Sequence, residues 1–62
     1  MHLREACYAV MQDRSVQERY PLGMSAYQIL VEVQEKFGKD AFPYRTWLDV
    51  HDEMTAIYGK PK

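Results

Sequence analysis

The sequence has little cysteine, glycine or proline, no long aliphatic run and no excess of either charge, and each scarcity excludes something. Cys7 is the single cysteine, so the chain forms no internal disulfide and offers no multi-cysteine zinc site. That usage fits a reducing interior, and the expected location is the cytoplasm. The glycines at 23, 38 and 59 are too far apart to make a dinucleotide or phosphate cradle and read as helix punctuation. The longest run of branched aliphatic residues, Ile29-Leu30-Val31, is far too short to span a bilayer. The first eleven residues carry Arg4 and Glu5 inside a helical pattern rather than the apolar run of a secretory leader. A formal charge of −1 gives no general pull toward nucleic acid or anionic lipid, and no membrane partner is expected.

What is present is a chain 47% hydrophobic, with its apolar residues at helical spacing. Leu3, Ala6, Cys7, Val10 and Met11 fall at i, i+3, i+4, i+7 and i+8, which makes an amphipathic helix with Cys7 on the buried stripe as a small hydrophobe. Ser15 and Glu18 have the reciprocal spacing of a capping box and open a short helical turn before Pro21 and Gly23. The same signature at Ser25 and Gln28 opens a further helix, ended by Gly38, with Ala26, Ile29, Leu30, Val33 and Phe37 facing the core. The last helix is expected from about Pro43 to Tyr58, with Pro43 in its first turn and Gly59 just past its end.

On that last helix Tyr44, Trp47, Val50, His51, Met54, Ile57 and Tyr58 share one broad face, opposite Arg45, Asp49, Asp52, Glu53 and Ala56. No stretch alternates as a strand would. The expected fold is therefore all-α: one domain over residues 1–62, a compact three-helix bundle with one short extra turn and helix-turn-helix-like geometry. Its expected core is Leu3, Cys7, Val10, Ile29, Leu30, Val33, Phe37, Trp47, Met54 and Ile57. A chain this short buries only about 60% of the surface its unfolded form exposes, so its stability is expected to be marginal and self-association to add buried surface.

The densest polar cluster is Asp49-Val50-His51-Asp52-Glu53. One straight helix presents its three carboxylates on an outer face, turns His51 away from them and supplies no loop to close a coordination shell, so no metal is expected. His51 is expected to sit half-buried among Tyr44, Trp47, Met54 and Tyr58. No nucleophile, base and cleft come together in the pattern, which argues against an enzyme and against a cofactor.

Residues 25–59, SAYQILVEVQEKFGKDAFPYRTWLDVHDEMTAIYG, resemble the helical half of winged-helix regulators, the PadR type among them, without the β wing. The likeness lies in the Tyr27-Gln28-Ile29 opening of one helix and in a following helix that ends at a glycine. It implies DNA binding by the helix at 43–58, with Tyr44, Arg45 and Thr46 toward the duplex; by charge alone, Lys39 at the preceding turn and Lys60 in the tail are the candidates for phosphate contacts beside it. Against that, one arginine and three acids leave the segment with a net charge of −2 (1 − 3), unfavourable between two phosphate rows.

Tyr27 and Val31 lie one turn apart and about 100° or more from the centre of their helix's core face. They form either a contact with the Ser15–Pro21 segment or a surface for another molecule. The leading expectation is a small regulatory or adaptor protein that binds another protein or itself, as a homodimer or hetero-complex, through Tyr27, Val31, Asp49, Asp52 and Glu53. DNA binding through the last helix is the alternative.

Overall fold

The first helix, α1 (Leu3–Gln12), is capped by the His2 ring, whose Nδ1 accepts the Arg4 N–H at 3.1 Å. A computed structural model describes residues 2–59. Leu3, Ala6, Cys7 and Val10 are buried along one stripe of α1, as their spacing requires. The short α2 (Arg14–Arg19) follows after one residue, Asp13, which caps it by accepting the Ser15 N–H at 2.9 Å. The cap thus falls on Asp13 and not on the Ser15 to Glu18 pair that the sequence suggests. An aspartate two residues upstream offers a stronger, charged acceptor to the first free N–H groups.

A tight turn then brings Gly23 N–H to the Tyr20 carbonyl at 2.9 Å, with Leu22 at its tip in full contact with solvent (101% exposed). Ser25 opens α3 (Ala26–Phe37) through the expected reciprocal box: Gln28 Oε1 accepts from Ser25 N at 2.8 Å and Ser25 Oγ from Gln28 N at 3.2 Å. Gly38 ends α3 at φ 98°, a left-handed conformation that a side chain would strain.

Between α3 and the last helix runs a single 3₁₀ turn, Lys39–Ala41, and then Phe42, buried to 6% exposure. The next helix, α4 (Trp47–Tyr58), starts four residues later than the sequence suggests. Pro43 occupies a turn in which the Arg45 N–H reaches the Phe42 carbonyl at 3.3 Å. Its fixed φ suits the second position of such a turn as well as a first helical turn, and the burial of Phe42 decides between them. The helix is begun by Asp49, whose Oδ2 accepts from Thr46 N at 2.7 Å and from Thr46 Oγ1 at 3.2 Å.

Among the described residues all regular structure is helical and no strand occurs. The helices form a compact globule with a radius of gyration of 11.0 Å. α1, α3 and α4 pack pairwise on one another, and α2 leans on α1. The core comprises Leu3, Ala6, Cys7, Val10, Val16, Ile29, Leu30, Val33, Phe42 and Val50. Phe37 and Met54 pack at its edge, Ile57 is half-buried, and Trp47, expected inside, is 49% exposed. No described helix is long and apolar enough to cross a membrane.

Candidate functional site

The broad apolar face of α4 is wider than the core can cover. At about 100° per residue, Val50, Met54 and Ile57 fall on its inner half and Trp47, His51 and Tyr58 on an adjoining strip. The core takes Val50 completely and Met54 and Ile57 in part, while Trp47 is 49% and Tyr58 63% exposed and His51 faces solvent. The half-buried setting expected for His51 is therefore absent. Leu48, at 56% exposure, continues the strip outward, and Tyr44, at 93%, extends it past the start of the helix. The result is an exposed stripe of Tyr44, Trp47, Leu48, His51 and Tyr58 along most of α4.

The acidic face expected on α4 divides three ways. Asp49 is spent on the helix cap, and Arg45 Nη1 lies 3.6 Å from its Oδ1. Hydrogen bonds from Thr46, first from its N–H, hold the Asp49 carboxyl below the usual carboxylate range. Asp52 is exposed beside the stripe. Glu53 turns inward toward α1, where its side chain is 16% exposed and its Oε1 accepts from Arg4 Nε at 3.2 Å.

On α3, Glu32 and Lys36 mark the side facing α2. Glu32 is 7% exposed, is paired with Arg19 and accepts from the Tyr20 hydroxyl at 2.8 Å; Lys36 Nζ stands 2.8 Å from Asp13 Oδ2. Tyr27 and Val31 lie about 140° and 100° round the helix from Glu32, away from the Ser15–Pro21 segment. Contact with that segment does not account for them: Tyr27 is 65% exposed and Val31 half-buried.

Of the residues expected at DNA, Tyr44, Arg45 and Thr46 are exposed just before α4, Lys39 is exposed on the 3₁₀ turn after α3, and Lys60 lies outside the described residues. Two open grooves flank α1. One, of about 340 Å³, is lined by Arg4, Glu5, Tyr8, Ala9 and Ile57 and is almost wholly apolar; the other, of about 280 Å³, lies between His2 and Leu3 and the Phe42–Arg45 turn. Among the described residues no group of three or more His, Cys, Asp and Glu side chains is placed to hold a metal ion. Burial, and secondarily the Glu53 charge, pushes the Cys7 thiol up to about 11, far from the thiolate a nucleophile needs.

Sequence reasoning placed Trp47 in the core and so missed its part in the exposed stripe. The available signal was that six of the twelve residues of α4, Trp47, Val50, His51, Met54, Ile57 and Tyr58, share a face, more than one seam needs. Comparison with known protein families, curated proteins and solved structures gave no match.

Proposed function

We propose that this chain is a small non-enzymatic regulatory or adaptor protein that works by binding another protein or a second copy of itself, with α4 as its docking face. The observation that carries this reading is the outer half of the α4 apolar face, where Trp47 and Leu48 lie in solvent beside a fully buried Val50. Contiguous apolar surface of this kind on a small soluble fold marks an interaction site more often than a structural need. Aromatic residues at its centre are the side chains that dominate contact energies when covered.

The test is site-specific photo-crosslinking in cells expressing the whole chain, with the crosslinking residue at Leu48 and, as a control, at the exposed Glu18 on α2. Discrete protein adducts at 48 that are missing at 18 are expected. Equal labelling at both positions overturns the reading.

The exposed Arg45 and Thr46 at the start of α4 favour a second reading, DNA binding. It ranks lower because Arg45 is engaged with Asp49 and Asp52 shares the exposed side of the helix. Binding of mixed duplex DNA at low salt, with an affinity that falls steeply as salt rises and a loss on Arg45→Ala, would put it first.

A further inference from the structure

We infer that the His2 ring is a pH-operated latch at the start of α1: neutral, it caps the helix; protonated, it leaves the cap and joins Arg4 on the Glu53 carboxylate of α4. The inference stands apart from what α4 binds and rests on one nitrogen with two incompatible partners.

His2 Nδ1 accepts the Arg4 N–H at 3.1 Å, and the same Nδ1 lies 3.5 Å from Glu53 Oε2. Accepting needs a bare lone pair on Nδ1, which in a neutral ring leaves the proton on Nε2. Bonding to Glu53 needs the reverse, a proton on Nδ1, as the cationic ring has. One atom cannot do both, so the two contacts belong to two protonation states and a proton selects between them. Histidine is the side chain whose charge changes between pH 5 and 8. The His2 side chain is 61% exposed, so protons reach it without any opening of the fold.

Both states have their surroundings in place. The first N–H groups of a helix have no partner within it, and the positive end of the helix dipole favours an uncharged cap over a cationic one. Glu53 is held toward α1, its Oε1 accepting from Arg4 Nε at 3.2 Å and lying 3.2 Å from Arg4 Nη2, with Oε2 on the His2 side. From the turn before α4, Tyr44 and Arg45 share with His2 the groove of about 280 Å³, and Arg45 is engaged by Asp49. Glu5 lines the other groove with Arg4. The Cys7 thiol, raised secondarily by Glu53, titrates at about 11 and stays outside this window. Arg4 and Arg45 disfavour a cationic ring and Glu53 favours it, so Glu53 is the group that makes the acid state. In acid, then, α1 loses its cap and gains a second tie to α4, and the groove acquires a cationic side chain in addition to Arg45.

The test is NMR of the full chain between pH 5 and 8, following the His2 ring nitrogens and the Arg4 amide, with the solvent-facing His51 as internal reference. At the neutral end His2 Nδ1 should carry no proton. The Arg4 amide should change with the same midpoint as the ring, and its exchange, corrected for intrinsic pH dependence, should be about fivefold faster in the acid form, the loss of a typical cap. His2→Asn keeps a side-chain acceptor that does not titrate and should hold the Arg4 amide constant over the range. Glu53→Gln removes the acid-state partner and should move the shared midpoint to lower pH, by about two- to fivefold in proton concentration, as an ion pair with one exposed member gives. Asp52→Asn, which removes an equal charge from the exposed side of α4, should leave it in place.

A proton on Nδ1 at neutral pH, or an Arg4 amide that does not follow the ring, overturns the inference, because His2 is then not the cap. A midpoint unmoved in Glu53→Gln, with the parent's helical circular dichroism retained, or moved equally in Asp52→Asn, overturns the exchange of partners: the protonated ring then leaves the cap for solvent. An Arg4 amide that still titrates in His2→Asn assigns the effect to another group and overturns the latch.

Discussion

Glu32 is the one charged residue buried among the described ones, and the tie it makes between α2 and α3 invites a quantitative test. Its carboxylate accepts from the Tyr20 hydroxyl at 2.8 Å and is paired with Arg19, whose side chain is 60% exposed. A hydrogen bond to a charged group contributes about 1.5–3 kcal/mol, and because Tyr20 is only half-buried the lower end applies. Tyr20→Phe should therefore cost about 1.5 kcal/mol, or roughly 6–12 °C in Tm for a domain of this size.

Glu32→Leu removes the buried charge together with its need for partners. The partner left behind, Arg19, is 60% exposed and is solvated once freed, so no buried charge is stranded and the cost should be smaller than that of Tyr20→Phe. Adding Tyr20→Phe to Glu32→Leu should then change little, because the freed hydroxyl reaches water. The assay is urea unfolding of the four proteins of the cycle, at a concentration where all have the same oligomeric state. A coupling of at least about 1 kcal/mol is expected. If Tyr20→Phe costs the same with and without Glu32, the hydroxyl acts through something else and the tie is not an energetic one.

Three further outcomes are open to direct measurement. Phe42→Ala should lose roughly 3–5 kcal/mol in chemical denaturation, and adjacent Tyr44→Ala, at 93% exposure, should stay within about 0.5 kcal/mol of the parent; equal losses would contradict the turn that buries one and exposes the other. The Cys7 thiol should resist a disulfide reagent at pH 8 until the fold opens. Because its folded value near 11 lies above the ordinary value of 9.0, its contribution to stability is complete below pH 9 and is lost as pH rises from 9 to 11, which a base-denaturation series would follow. In acid, the Asp13 carboxyl, held low chiefly by the Lys36 hydrogen bond, and the Asp49 carboxyl, held low by the Thr46 N–H, contribute stability above about pH 4. That stability goes as pH falls through their depressed folded values, and Asp13→Asn with Asp49→Asn should flatten the acid limb of the Tm profile.

The parts of the fold legible in the sequence are those set locally. The α1 stripe and the Ser25–Gln28 cap depend on residues three or four apart and appear in the structure as spaced. The start of α4 is different, because Pro43 satisfies a helix start and a turn equally well and the choice is made by Phe42 packing in a core that α1 and α3 build. Glu32 and Glu53 show the same limit. Periodicity puts both off the core face, and only the approach of Arg19 and Tyr20 from α2, and of Arg4 from α1, draws them in. The exposed stripe was readable as an apolar face but not as a surface, since the depth to which α4 sinks between α1 and α3 is a property of three helices together.

The turn that holds Leu22 in solvent divides the core evenly. Leu3, Ala6, Cys7, Val10 and Val16 precede it, and Ile29, Leu30, Val33, Phe42 and Val50 follow it. A single proteolytic nick after Leu22 would leave two fragments, each with five of the ten core side chains and neither with a core of its own. Folding would then become a bimolecular event, governed by fragment concentration, and the chain would behave as a natural split protein whose halves regain structure only on meeting.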